Sequence, residues 1–275
     1  MNRDALLREI GLAPLWRLRS RVRDADADVS RPAIDESKQA RLSTGADAQS
    51  TAPARAPATH ADPQPSCAPA SSDGRAAVIA GLEWEALEQA IRSCTACRLC
   101  EQRKQAVPGV GDRRATWMFV GEGPGAEEDR RGEPFVGQAG KLLDAMLAAI
   151  GLRRGEGVYI ANAVKCRPPH NRTPEPDEIA ACLPFLQRQI ALVRPRVLVA
   201  LGRPAAQALL GAEVRISTAR GKVHAHSGFP VIVTYHPAYL LRNPVDKGKA
   251  WEDLCHARTL GAAEGGLTAR DNGPS

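Results

Sequence analysis

Residues 116–129 read TWMFVGEGPGAEED, and this stretch decides the fold. A short apolar run, TWMFVG, ends in three glycines within five residues, so it reads as a buried strand feeding an unusual loop. Three similar runs follow downstream, at 158–164 (VYIANAV), 196–202 (RVLVALG) and 231–235 (VIVTY). Between them the apolar residues fall at helical spacing, at 140–150, 176–193 and 203–210. Strands alternating with helices of this length predict an α/β domain, a three-layer α/β/α sandwich around a central four-stranded, mainly parallel sheet. Ligands of such sheets bind beyond the carboxyl ends of the strands. Three of the four runs lead into GEGPGAEED, KCRPPHNRTP and HPAYLLRNP, so these loops are expected to converge on one site.

Upstream the character of the chain changes. From residue 17 to residue 83 there is no Phe, Trp or Tyr, and Ala, Pro, Ser, Asp and Arg dominate. Residues 24–75 cannot bury enough apolar surface to offset chain entropy. The expected organisation is a disordered Ala/Pro-rich extension over 1–80 with a short basic helix at 4–20, a domain over 81–262, and a disordered tail over 263–275. Helical spacing resumes in AVIAGLEWEALEQAIRSC, from residue 76. The net charge of +6 resides in the domain: residues 84–260 carry +7, residues 1–83 are neutral and 261–275 carry −1. That excess suits a polyanion partner. No run approaches the length of a membrane helix, and the N-terminus scatters charge through its apolar part, unlike a secretory signal. Seven cysteines in such a chain point to a reducing cytosol and to ligand or nucleophile roles rather than disulfides.

Cys94 and Cys97 form a C-x2-C pair, and Cys166 and Cys182 follow on either side of the KCRPPHNRTP loop. Four thiolates so arranged suit a structural zinc ion or an iron–sulfur cluster. Cys100 extends the pair to C-x2-C-x2-C and could compete with Cys97; Cys255 reads as core, and Cys67 as an incidental thiol of the extension. The GEGPG loop matches neither a Walker loop nor a dinucleotide fingerprint. Its glycines suit either close approach of backbone to a ligand or simply a tight turn. Phe135 stands in a glycine-flanked loop, GEPFVGQAG, an unusual place for a core aromatic. His236 ends a strand, and the leucines after it in HPAYLLRNP suit a wedge that opens a base stack.

VPGVGDRRATWMFVGEGPGAEEDRRGEPFVGQAGKLLDAML, VYIANAVKCRPPHNRTPEPDEIAACLPFL, VLVALGRPAAQALLG and VTYHPAYLLRNP closely resemble the family 4 uracil-DNA glycosylases, the iron–sulfur type of bacteria and archaea. The resemblance runs in order from about residue 82 to 260 and leaves out residues 1–80. It implies a [4Fe–4S] cluster on Cys94, Cys97, Cys166 and Cys182, with Cys100 outside the ligand pattern. It implies a monomeric enzyme of the bacterial cytosol and nucleoid that acts on uracil in single- and double-stranded DNA and has no membrane partner.

The resemblance also distributes roles. The target base must leave the helix stack to be reached. Phe135 would stack on it, Asn162 would read its pyrimidine edge, and Glu122 and the Gly123 backbone would line the pocket. Glu128 would gate against the thymine methyl. His236 would donate to uracil O2 as the base departs, and Asn171 would position the attacking water. Leu240 and Leu241 would fill the vacated stack. Arg242, Arg172, Lys165 and Arg167 would track phosphates, making binding strongly salt-dependent. His170 reads as a surface or phosphate-contacting residue. Two other classes fit parts of the pattern: a uracil-DNA binding or crosslinking module without turnover, and a non-catalytic metal-bearing nucleic-acid adaptor.

Overall fold

The computed structural model describes residues 72–262. The extension up to residue 71, with its helix expected at 4–20 and Cys67, and the tail 263–275 lie outside the described residues. The first described helix, α1 (Ser72–Ala80), lies ahead of the boundary expected at residue 81. Ile79 is buried, and Arg75 donates to the Ala181 carbonyl at 2.7 Å, so this helix packs on the domain. Its short run of alanines hides it beside the Ala-rich segment before it.

Two more helices follow, α2 (Trp84–Arg92) and α3 (Leu99–Gln102), then strands β1 (Val110–Gly111) and β2 (Trp117–Gly121). Next come α4 (Ala126–Arg131), α5 (Gln138–Ala149), β3 (Val158–Asn162), a 3-10 turn at Pro169–Asn171 and the long α6 (Pro176–Val193). β4 (Val197–Leu201), α7 (Arg203–Leu210), α8 (Ile216–Ala219), β5 (Val223–His226) and β6 (Phe229–Thr234) precede the final helices, α9 (Pro237–Arg242) and α10 (Lys247–Ala262). α6 begins where sequence rules place a helix start. Pro176 occupies the first turn, and Glu178 reaches back to the Glu175 N–H at 2.8 Å.

The described residues form one six-stranded sheet in the order β1-β3-β2-β4-β6-β5. The four strands expected from the sequence are its parallel centre, β3, β2, β4 and β6. The two edge strands pair antiparallel and were not expected. β1 is two residues long, and the residues of β5 (VHAH) alternate between exposed and half-buried, so neither carries an apolar run.

Alternation along the central strands makes three layers. Met118, Val120, Leu198 and Ala200 point to one face and pack with Leu186, Ile190 and Leu209 of α6 and α7. Trp117, Phe119, Val197 and Val199 point to the other and pack with Leu143, Leu147, Leu254 and Ala257 of α5 and α10. Strands covered on both faces are apolar throughout, which is why β2, β3 and β4 bury all five residues each. A third cluster joins Leu87, Ile91 and Leu99 of the N-terminal helices to Cys166, Cys182 and Phe185. No described helix is long and apolar enough to cross a membrane.

Candidate active site

The loops after β2, β3 and β6 enclose a cavity of about 740 Å³ at the carboxyl ends of the parallel strands. Glu122, Gly123, Glu128, Phe135 and Asn162 line it, as do Asn171, Arg172, His236 and Arg242. Thus seven residues from the three strand-end loops meet Phe135 and Asn162 in one place.

Asn162 ends β3 and is 2% exposed. Its side-chain Oδ1 is buried with no hydrogen-bond partner among the described residues. Buried acceptors are rarely left so, because an unmet one costs about 1–3 kcal/mol. An orphan in a cavity wall is an acceptor waiting for a ligand donor. Gly121, opposite Asn162 in the β2–β3 register, completes this wall. A side chain there would collide with Asn162 Oδ1 and with the Phe135 ring. Gly121 was legible only as the first of three glycines, without a role of its own.

Phe135 is buried and lies 5.4 Å from the His236 ring, centroid to centroid, at 30°. Its φ of +56° is a left-handed conformation that a bulky residue adopts only under constraint. Glu128 supplies part of it. One carboxylate oxygen accepts from Val136 N–H at 2.9 Å and Gly137 N–H at 3.0 Å, and the other from Gly125 N–H at 3.1 Å. The carboxylate is therefore fixed at the cavity wall.

His236 precedes α9 and caps it: its Nδ1 accepts from the Ala238 N–H at 3.1 Å. An Nδ1 that accepts leaves the proton of the neutral ring on Nε2. Burial, with the Arg242 guanidinium adding to it, pulls the imidazole pKa down from 6.5 to about 4. The ring is a neutral donor at physiological pH.

Asn171 sits in the left-handed region, as does His170 before it. Its Oδ1 accepts from Arg167 Nε at 2.7 Å. Burial raises the Glu122 carboxyl above its ordinary range, while Thr173, Arg203 and Arg242 oppose the shift.

Three expectations change on this geometry. Leu240 is 1% exposed and belongs to the core, because α9 turns it inward; Leu241, 46% exposed, is the leucine open to a partner. Arg172 forms a fork with the Glu178 carboxylate at 2.8 and 2.6 Å and thereby braces the start of α6, so it is not a free cation for phosphate. Lys165 is 1% exposed, so its ammonium is not open to a phosphate. Its Nζ donates to the Asn162 carbonyl at 2.8 Å and to Gln189 Oε1 at 2.6 Å.

Cys94, Cys97, Cys166 and Cys182 face one small apolar void beneath that lysine, and Cys100 lines it too. Arg103 donates to Cys166 Sγ at 2.9 Å, Arg75 to Cys94 Sγ at 3.4 Å, and the Lys165 N–H to Cys182 Sγ at 3.3 Å. Burial pushes the thiols of Cys97 and Cys182 up to about 11 and about 12. Protons must therefore leave before these sulfurs ligate a metal. Among the described residues no three Cys, His, Asp or Glu side chains close on a single ion-sized point.

A three-layer α/β sandwich with a cavity at its strand ends, walled by an aromatic ring and an unmet amide, defines an α/β protein with a site for a planar, hydrogen-bonding ligand. The model of the Uracil DNA glycosylase superfamily matches residues 108–255, and the chain belongs to that family, in its type-4 branch. It is 44% identical over 181 residues to the type-4 uracil-DNA glycosylase of Pyrobaculum aerophilum, across 63% of this chain and 92% of the relative. The Thermotoga maritima enzyme of the same name is 46% identical over 185 residues, covering 66% and 96%. That of Archaeoglobus fulgidus is 48% identical over 171 residues, covering 58% and 85%.

Proposed function

We propose that the protein excises uracil from DNA, hydrolysing the N-glycosidic bond of a flipped-out nucleotide and leaving an abasic site for base excision repair. The observation that carries this reading is the buried, unpartnered Asn162 Oδ1 beside the Phe135 ring. The uracil N3–H matches that acceptor, and the amide N–H of Asn162 suits O4. Glu128, held by three backbone amides, cannot swing aside for a thymine methyl. A rigid wall supplies discrimination beyond the roughly 1–3 kcal/mol that a methyl group alone is worth.

Departure of the base leaves negative charge on uracil. His236 Nε2–H, neutral and fixed by the cap through Nδ1, donates to O2 as that charge develops. Asn171, oriented by Arg167, positions the water that attacks the sugar. An amide is no strong base, so the rate rests on stabilising the leaving group. Leu241 enters the vacated stack, and Arg242 meets the backbone phosphate.

The four cysteines suit a [4Fe–4S] cluster. The donor set is all thiolate, and Arg75, Arg103 and Lys165 face it with positive charge and N–H donors. When bound, the cluster supplies a covalent tie between the Cys94–Cys97 turn, the loop after β3 and α6. Its partners are single- and double-stranded uracil-DNA, met as a monomer in the bacterial cytosol and nucleoid. Abasic-site formation on a uracil oligonucleotide, in excess over enzyme, tests the reading. A stable protein–DNA adduct without turnover would replace it with a crosslinking function.

A further inference from the structure

We propose that Arg154 is a positioning residue for the base-stacking ring: its guanidinium clamps the Phe135 loop from the carbonyl side, opposite the amide-side grip of Glu128. The inference rests on the reading of Phe135 as the ring that stacks on uracil.

Arg154 lies in the turn between α5 and β3, outside the cavity lining. Nη1 donates to the Pro134 carbonyl at 3.0 Å and Nη2 to the Phe135 carbonyl at 2.8 Å. Nε donates to Asp144 Oδ1 of α5 at 2.9 Å, which fixes the plane of the fork. Two consecutive carbonyls on two guanidinium nitrogens fix the peptide planes on either side of Phe135, Pro134–Phe135 and Phe135–Val136. Between them lies the residue with φ +56°. Glu128 takes the next two N–H groups, of Val136 and Gly137. The strained residue is thus held between a cation on its carbonyls and an anion on the amides after it. Gly140 completes the seat, since a Cβ there would collide with the Phe135 carbonyl.

A left-handed Phe left to itself would relax toward the ordinary β or α regions. Relaxation would turn the ring away from His236 and Asn162 and open the stacking wall. A lysine at 154 can serve one carbonyl but not both, because its ammonium is a point donor without the planar fork.

The test uses the full chain, with iron content and melting temperature measured for each variant. Four proteins are compared: parent, Arg154→Ala, Arg154→Lys and, as the neighbouring control, Arg153→Ala. Among the described residues the Arg153 side chain pairs with exposed Glu156 alone. Three quantities are read: inhibition by free uracil, the single-turnover excision rate, and affinity for abasic-site DNA, which has no base to stack. Arg154→Ala is expected to weaken uracil inhibition and slow excision by about tenfold or more, as misplacement of a stacking wall does, with abasic-DNA affinity unchanged. Arg154→Lys should fall between, and Arg153→Ala should match the parent. Uracil inhibition within about twofold of parent in both Arg154 variants overturns the clamp. So does a loss of abasic-DNA affinity parallel to the loss of uracil affinity, which marks general misfolding. If Arg154→Ala does not fold, the Lys variant, which keeps charge and bulk, decides by the same criteria. A parent that binds uracil without excising it defeats the proposed reaction but leaves the clamp measurable through uracil inhibition.

Discussion

The Lys165 ammonium donates to the backbone carbonyl of Asn162 across 2.8 Å, joining the cysteine-lined loop to the cavity wall. Both residues are buried, and the second hydrogen bond of Lys165, to Gln189, anchors the pair to α6. Lys165→Met strands two buried acceptors at about 1–3 kcal/mol each and frees the end of β3, so excision should fall about tenfold. Urea denaturation beside the single-turnover rate checks both effects. A variant with parental rate would show that Asn162 holds its place without the lysine.

His236→Ala and Asn171→Ala should each lower single-turnover excision by about 10²–10³, the usual scale for losing a donor to a developing anion or the orienting group for its water. Affinity for uracil-DNA should stay within a few-fold of parent, since Phe135 and Asn162 remain. Parental rates in either variant would strip that residue of its role.

The folded pKa of about 4 at His236, against 6.5 for a free imidazole, sets a pH signature. Above pH 6.5 the ring is neutral folded or unfolded, and it contributes nothing to the pH dependence of stability. Between about 6.5 and 4 the unfolded chain takes up a proton that the folded chain does not, so stability falls as pH falls through that window. The excision rate should accordingly show no acid limb near 6.5. An acid limb there that disappears in His236→Ala would mean that the ring titrates near its ordinary value and is not held neutral by burial.

The adjacent leucines of α9 should separate cleanly. Leu240→Ala, truncating a core residue, should cost about 2–5 kcal/mol of stability. Leu241→Ala should leave the melting temperature alone and slow excision from duplex more than from single-stranded DNA, because only the duplex has a stack to fill. Equal losses on both substrates would remove Leu241 from the wedge role.

Cys166→Ser removes a sulfur that accepts from Arg103 and lies in the third core cluster. Protein from this variant should lack visible absorbance and bound iron and melt well below parent. Cys100→Ser should keep both. Loss of iron in Cys100→Ser would bring that residue into the ligand set.

The parallel centre of the sheet was legible because strands covered on both faces must be apolar throughout, and β2, β3 and β4 are. The edge strands were not, because two residues at Val110–Gly111 and the alternating VHAH leave no run to see. At the site, Phe135 and His236 stood out as distinctive side chains in glycine- or proline-rich loops, whereas Asn171 came with the family resemblance alone. Their supports did not stand out. Arg154 sits in a turn of charged residues, and only the folded chain shows that its fork meets two carbonyls. Arg172 and Lys165 were read as phosphate contacts. Pairing with Glu178 and burial under Gln189 are three-dimensional facts that a basic residue in a loop does not announce.

The register of β2 has a kinetic side. Trp117 pairs with Val158 on one flank and with Val197 on the other, so the centre of the sheet closes only after long stretches of chain have been gathered. Entropy must be lost before such distant contacts reward it, and folding of parallel sheets is slow for that reason. Glu122, Asn162 and His236 extend from β2, β3 and β6, and β6 docks on β4 alone among the parallel strands. The pocket therefore needs both flanks of the parallel centre in place, and a refolding chain should recover affinity for uracil no earlier than its sheet signal.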